Sequence, residues 1–359
     1  MSRRNAARGR TRNDRHFDGA RKSGEQADGR PPLIDEQLAH QLLGKAQAEG
    51  VELLGRMACC LRSPRPCWKT AGRFPSVFRA LWARQNGALV KHSWLARRRV
   101  GDDGRVRVLV PLPDRDFDVT EVAVPWRVLC DAGHQVVFAT ERAGTVPAAD
   151  PRLLAGVIFG QLGAAAEAKR LYAELTGAAE FTSTQAWEQL DPAAFDGLLL
   201  PGGHAPGMRQ YLGSAVLRDQ VARFWALGRP VGAICHGVLV LARTRDPATG
   251  RSVLAGRRTT CLPKYMERLA YLATAWRLGR YYRTYPAYVE DEVKAALDDP
   301  GSQFQRGPAV LGARGTATDD RPAFAVTDRN YLSARWPGDA YLFGRRFCAL
   351  LDSAAQPGC

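Results

Sequence analysis

No stretch of this 359-residue chain approaches the roughly 18 consecutive apolar residues needed to cross a bilayer. The longest apolar run, around Val231 to Ala242, is interrupted by His236. The first residues carry arginines but no apolar signal-peptide core behind them, and Asp14, Asp18, Glu25 and Asp28 argue against an organelle transit peptide. The eight cysteines, Cys59, Cys60, Cys67, Cys130, Cys235, Cys261, Cys348 and Cys359, lack the paired short spacings of a zinc site and the density of a disulfide framework. Reduced thiols in a soluble cytoplasmic protein, with no membrane association, are the expectation. The chain also lacks internal repeats and any helix-turn-helix pattern.

Acidic residues are scarce in one place only. Residues 1–100 hold 21 Lys and Arg against 8 Asp and Glu, so all but +2 of the net charge of +15 belongs to them. Residues 1 to about 32 have almost no apolar side chains and cannot bury enough surface to offset ordering entropy. From Leu33 to Met57, Leu38, Leu42 and Leu43 suggest one amphipathic helix, and no sustained period follows up to Val100. Residues 1–103 therefore read as a basic, largely disordered extension, or as a leader from a misassigned start. Its arginines and scattered tryptophans admit nucleic-acid binding, for which the sequence shows no further motif.

Periodic order begins near Arg105. Val106 to Val110 reads as a buried strand, Val119 to Ala132 as a helix stopped by Gly133, and Gln135 to Thr140 as a second strand. A helix over Ala164 to Leu175 precedes a third strand at Leu198–Leu200, which runs into Pro201-Gly202-Gly203-His204. After a helix near Val216 to Leu227 comes a fourth strand ending at Cys235. Strands alternating with helices predict an α/β fold, a mostly parallel sheet sandwiched by helices, whose ligands bind at the carboxyl ends of the strands. Residues 264–297 interrupt the rhythm as a long helical stretch rich in tyrosine, expected to be a packed cap or a dimer surface. Phe324-Ala325-Val326 offers a last strand, Trp336 to Leu351 a closing helix, and residues 353–359 a tail.

Val231-Gly-Ala-Ile-Cys-His-Gly237 carries the chemistry. A strand that turns sharply into a helix holds its corner residue in a strained conformation with the first helical N–H groups aimed at it. The positive end of that helix favours an anion, so the Cys235 thiol pKa is expected to fall. An inert buried thiol is the competing reading. Two other segments are placed to meet Cys235 at the strand ends: Glu121 after the first strand and the Gly202-Gly203-His204 turn after the third. Glu121 can share a proton with the thiol. The amides of Gly203 and His236 can form an oxyanion hole, and His236 can act as the base of a Cys-His pair. His204 either binds a substrate oxygen or is a turn histidine satisfied by backbone. Pro337 and Asp339 read as capping residues of the closing helix.

Asp118-Val-Thr-Glu121 with Val-Ala-Val-Pro125, Phe195-Asp-Gly-Leu-Leu-Leu-Pro-Gly-Gly-His204, and Ala233-Ile-Cys-His-Gly237 resemble the PfpI-like branch of the class I glutamine-amidotransferase-like superfamily. The resemblance covers about residues 104–352 and implies a flavodoxin-like core with a helical insertion at 264–297. It implies Cys235 as nucleophile, Glu121 as its acid and Gly203 in the oxyanion turn. It also implies a homodimer. Two departures narrow the activity. The six histidines end at His236, so the downstream His and Glu of a glutamine amidotransferase have no counterpart. Where chaperone-type relatives place a triad aspartate, this chain has Leu262-Pro263-Lys264; Glu267, one turn on, either substitutes or is a solvated helix residue. The zinc-binding set of some relatives finds no match, and neither metal nor other cofactor is expected. The leading expectation is a cysteine enzyme acting on a reactive carbonyl, such as a small-molecule aldehyde or its protein adduct, or a related hydrolase that cleaves a thioester or amide through an acyl-cysteine at the same site. The other is a stress-responsive holding chaperone or a cysteine redox sensor.

Overall fold

Long apolar runs in short segments demand a sheet buried on both faces, and the computed structural model, which describes residues 105–157, 163–310 and 312–355, contains one. Seven strands line up in the order β5 (Gln185–Ala186), β3 (Gln135–Thr140), β1 (Arg107–Pro111), β6 (Gly197–Leu200), β7 (Val231–Ile234), β9 (Tyr331–Ala334) and β8 (Ala325–Asp328). Every pairing is parallel except the β8–β9 hairpin. A separate parallel pair joins β2 (Arg115–Phe117) to β4 (Ala148–Ala149). The N-terminal extension, its expected disorder and its expected helix over Leu33–Met57 lie outside the described residues.

Helices cover the sheet. Helix α1 (Val119–Asp131) packs between α2 (Ala166–Thr176) and α8 (Ala340–Ala355), and α8 also lies on β7 and β9. The shorter α5 (Val238–Arg243) packs against α3 (Met208–Gly213), α4 (Ala215–Ala226) and α7 (Val289–Ala295). Val108, Leu198, Val231, Phe343 and Phe347 are among the buried side chains of the common core.

Three expectations need correction. The expected single last strand is a hairpin, and its second arm, β9, is the one that pairs with β7, in the register Val231↔Tyr331 to Ile234↔Ala334. Residues 264–297 are not one helical stretch: α6 (Lys264–Leu278) ends at Gly279, which has φ +56°, and a non-helical segment leads to α7. Asp339 is not a helix cap. Its carboxylate accepts from the Arg335 backbone N and guanidinium and from Phe324 N, tying the hairpin to the start of α8 through a fully buried ion pair.

Candidate active site

Cys235 follows directly on β7, with a backbone φ of +56° that a residue with a side chain adopts only under strain of about 1–3 kcal/mol. A single 3₁₀ turn, Cys235–Gly237, then feeds α5. The elbow survives because glycines let it close on the β6 turn. A Cβ on Gly237 would lie 2.1 Å from Leu200 O, and one on Gly202 would lie 2.6 Å from His236 N and 2.9 Å from Glu121 Oε2. The two turns are in backbone contact, which places the elbow beside Glu121.

Glu121 is held from the other side. Asp118 caps α1, its Oδ1 accepting from Thr120 N at 2.8 Å and Glu121 N at 3.1 Å. Glu121 Oε2 accepts from Gly202 N at 2.8 Å, while the buried Oε1 has no conventional hydrogen bond. Pro125, one turn on, has no N–H to offer the Glu121 carbonyl. The carboxyl group and the Cys235 thiol interact directly, and among the described residues no cation faces them strongly enough to offset burial. Burial therefore pushes Glu121 well above the usual carboxylate range, with the Asp118 charge adding to it. Asp118 itself is pushed up to about 6 by burial.

The same burial overturns the expected acidic thiol. Cys235 is fully enclosed, and desolvation, followed by repulsion from Glu121 and Asp118, raises its pKa well above the ordinary value; the His236 amide opposes this only in part. A one-turn start to a six-residue helix does not outweigh the loss of water.

His236 faces its neighbour: its Nδ1 lies 3.4 Å from Cys235 Sγ. Its ring is buried and kept neutral, first by desolvation and then by His204, Arg243 and Arg283. Among the described residues no carboxylate bonds to it. Glu267 fits neither of its expected readings. It is buried, Arg283 Nη1 donates to its Oε1 at 2.9 Å, and Val289 N donates to its Oε2 at 3.0 Å, so it holds the cap together.

His204 stands 4.9 Å from the His236 ring, centre to centre, and meets the edge of Tyr282 at 5.7 Å. It is not satisfied by backbone as a turn histidine would be: its Nδ1 is buried without a partner, and burial lowers its pKa to about 4. Gly203, with φ +155°, packs where a Cβ would sit 2.9 Å from Asp116 O and 3.0 Å from Asp118 N. The segment between α6 and α7 closes over this turn: Tyr281 and Tyr282 donate to Asp150, and Thr284 Oγ1 donates to His204 O at 2.5 Å. The sequence reading placed Gly202 only within the turn that meets Cys235 and gave Tyr282 and Thr284 no role at the site; only the doubled glycine carries a local signal, that of a close backbone approach. The strand ends thus join Cys235, His236, Glu121, His204 and Gly203, and leave Glu267 in the cap.

Residues 112–308 match the family described as ThiJ/PfpI family-like. The chain belongs to the ThiJ/PfpI family. An uncharacterised protein of Schizosaccharomyces pombe is 30% identical over 71% of this chain and 89% of its own length. A deglycase of Pyrococcus abyssi is 26% identical over 68% of this chain and 99% of its own. The crystal structure of glyoxalase III from Candida albicans, 19% identical, superposes with a TM-score of 0.50 over 68% of this chain and 97% of that one. That likeness shows that this ThiJ/PfpI chain shares its fold.

Proposed function

We propose that this chain is a cysteine enzyme for reactive carbonyls, converting a 2-oxoaldehyde, free or added to a protein amine, into a 2-hydroxy acid. The observation that carries the reading is the Glu121 carboxyl in direct contact with the thiol of the strained Cys235 elbow, with one of its oxygens fixed by Gly202. Two relatives of the same fold, named a deglycase and a glyoxalase III, support it.

The Cys235 sulfur adds to the free aldehyde carbon, and the thiol proton passes to the carbonyl oxygen, giving a hemithioacetal; in the amine adduct the C–S bond forms as the C–N bond breaks, the amine leaves with the thiol proton, and the same hemithioacetal results. The amides of Gly203 and His236 hold the developing oxyanion. Glu121 removes the hydrogen from the former aldehyde carbon as a proton and returns it to the adjacent carbon. One carbon is oxidised as its neighbour is reduced, so the step balances without an external oxidant. Water then cleaves the resulting thioester and restores the thiol. A carboxyl group whose proton affinity is raised by burial is a better base for this work than an exposed glutamate. Neutral His236 relays protons at the sulfur, and half-buried His204 borders the approach. The test is 2-hydroxy acid formation from methylglyoxal by the full chain, with Cys235→Ser and Glu121→Gln alongside. Loss in both variants supports the reading, and an inactive parent refutes it.

One surface favours the holding-chaperone reading. Leu269, Leu272 and Trp276 fall at helical spacing on α6 and are 54%, 57% and 67% exposed. Suppression of client aggregation that survives Cys235→Ser but is lost in Leu272→Glu would establish it.

A further inference from the structure

Besides Glu121, the elbow gathers a second set of groups. One ligand atom from each of His204, Cys235 and His236 lies within 4.8 Å of the others. Two imidazoles and a thiolate are a borderline-soft donor set, suited to zinc-class ions and unsuited to magnesium or calcium. Tetrahedral zinc with bonds of about 2.0–2.3 Å separates its ligands by about 3.3–3.6 Å. Cys235 Sγ and His236 Nδ1, at 3.4 Å, already have that spacing. His204 needs to close by little more than about 1 Å, a side-chain rotation. Among the described residues its buried Nδ1 has no hydrogen bond that a turn of the ring would break. The three residues come from two turns locked together by Gly202 and Gly237, so the set is preorganised. His204 is also the partly exposed member, which leaves a way in from solvent.

We propose that His204, Cys235 and His236 form a three-ligand site for a thiophilic divalent ion of the zinc class, and that occupancy caps the Cys235 sulfur. On binding, the S–H bond breaks, an S–metal bond forms, and the proton leaves to solvent. The fourth coordination position stays open to water. While the ion is held, the sulfur cannot attack a carbonyl or an alkylating agent, so free zinc reversibly silences this cysteine. Sequence spacing hid the set, because 31 positions separate His204 from Cys235 and two different strands deliver them.

Metal-free full-length chain is titrated with Zn²⁺ against a chromophoric chelator, and with Co²⁺ as a spectroscopic reporter. The expected result is a one-equivalent site that releases protons, shows a thiolate-to-cobalt charge-transfer band, and protects Cys235 from iodoacetamide in peptide mapping. Cys235→Ser is expected to lose the band, and His204→Ala and His236→Ala to weaken zinc by at least about tenfold. Mg²⁺ is expected to have no effect. The proposal is overturned if the parent binds no zinc, if zinc leaves Cys235 labelling unchanged, or if the Cys235→Ser chain keeps both the band and the affinity. Thermal melts identify a variant that fails to fold, in which case His204→Gln replaces it. No readout involves substrate turnover, so this site and the proposed reaction stand or fall separately.

Discussion

The strand-end site and the cap between α6 and α7 each bury glutamate, and treat it in opposite ways. In the cap, Glu267 meets Arg283 and the Val289 amide, and Glu290 meets Arg306, Lys294 and the Lys264 amide. Those partners hold Glu290 down to about 2, and they limit what burial does to Glu267. At the strand ends, Glu121 is buried as deeply, yet among the described residues it has one amide and a thiol for company and no cation in an ion pair. The cap spends its carboxylates on cohesion. The strand ends keep one carboxyl group beside a sulfur with no ion-pair partner among the described residues, the kind of environment that perturbed groups of functional sites occupy.

Substitutions sharpen the contrast. Cys235→Ser is expected to lower kcat/KM for methylglyoxal on the order of 10³-fold or more, with little change in melting temperature; steady-state kinetics beside a thermal melt check both. Glu121→Gln is expected to cost about 10²–10⁴-fold in kcat/KM while stabilising the fold by about 1 kcal/mol at alkaline pH. The amide oxygen still accepts from Gly202. The folded-state pKa of Glu121 is raised above its ordinary 4.5, so its contribution to stability is complete below that value and lost as pH rises through the raised one. Glutamine cannot ionise and escapes that loss, which urea melts at several pH values will show.

Glu267→Gln should move stability the other way, losing about 3 kcal/mol, because Arg283 is left buried without its counter-charge. Equal signs for the two glutamine variants in the same melts would dissolve the distinction between the regions. The smallest effect belongs to His204. Its folded-state pKa of about 4 lies below the ordinary 6.5, so its contribution is present above 6.5 and lost as pH falls toward 4. His204→Gln should flatten the decline in stability between pH 6.5 and 5, measured by urea unfolding.

Much of the fold was legible where local pattern and tertiary role coincide. Val108-Leu109-Val110 and Leu198-Leu199-Leu200 are apolar on both faces because both faces are covered, and a run of that kind needs no long-range information to be read. β9 was hidden because Tyr331-Leu-Ser-Ala334 is four residues long and carries a serine, and Ser333 Oγ serves as the acceptor for Thr260 N, 73 positions away. Asp339 reads in sequence as a cap of the closing helix, and only its contact with Arg335, four positions earlier, makes the pair part of the core. The cap was unreadable as chemistry because its hydroxyl side chains act through partners far along the chain, Asp150 for Tyr282 and His204 for Thr284.

The sequence by itself determined the alternation of strands and helices, the corner at Cys235, and the three segments able to meet there, because these depend on apolar period and on glycines at fixed offsets. It also placed the excess charge in the first hundred residues, where composition alone decides. Only the tertiary structure decided the state of the groups that meet. Proton affinity depends on how much water is lost and which charges remain in reach, and both are sums over neighbours from every part of the chain. The enclosed elbow reversed the expected pKa of Cys235, burial favoured the protonated form of Glu121, and an arginine from the cap claimed Glu267.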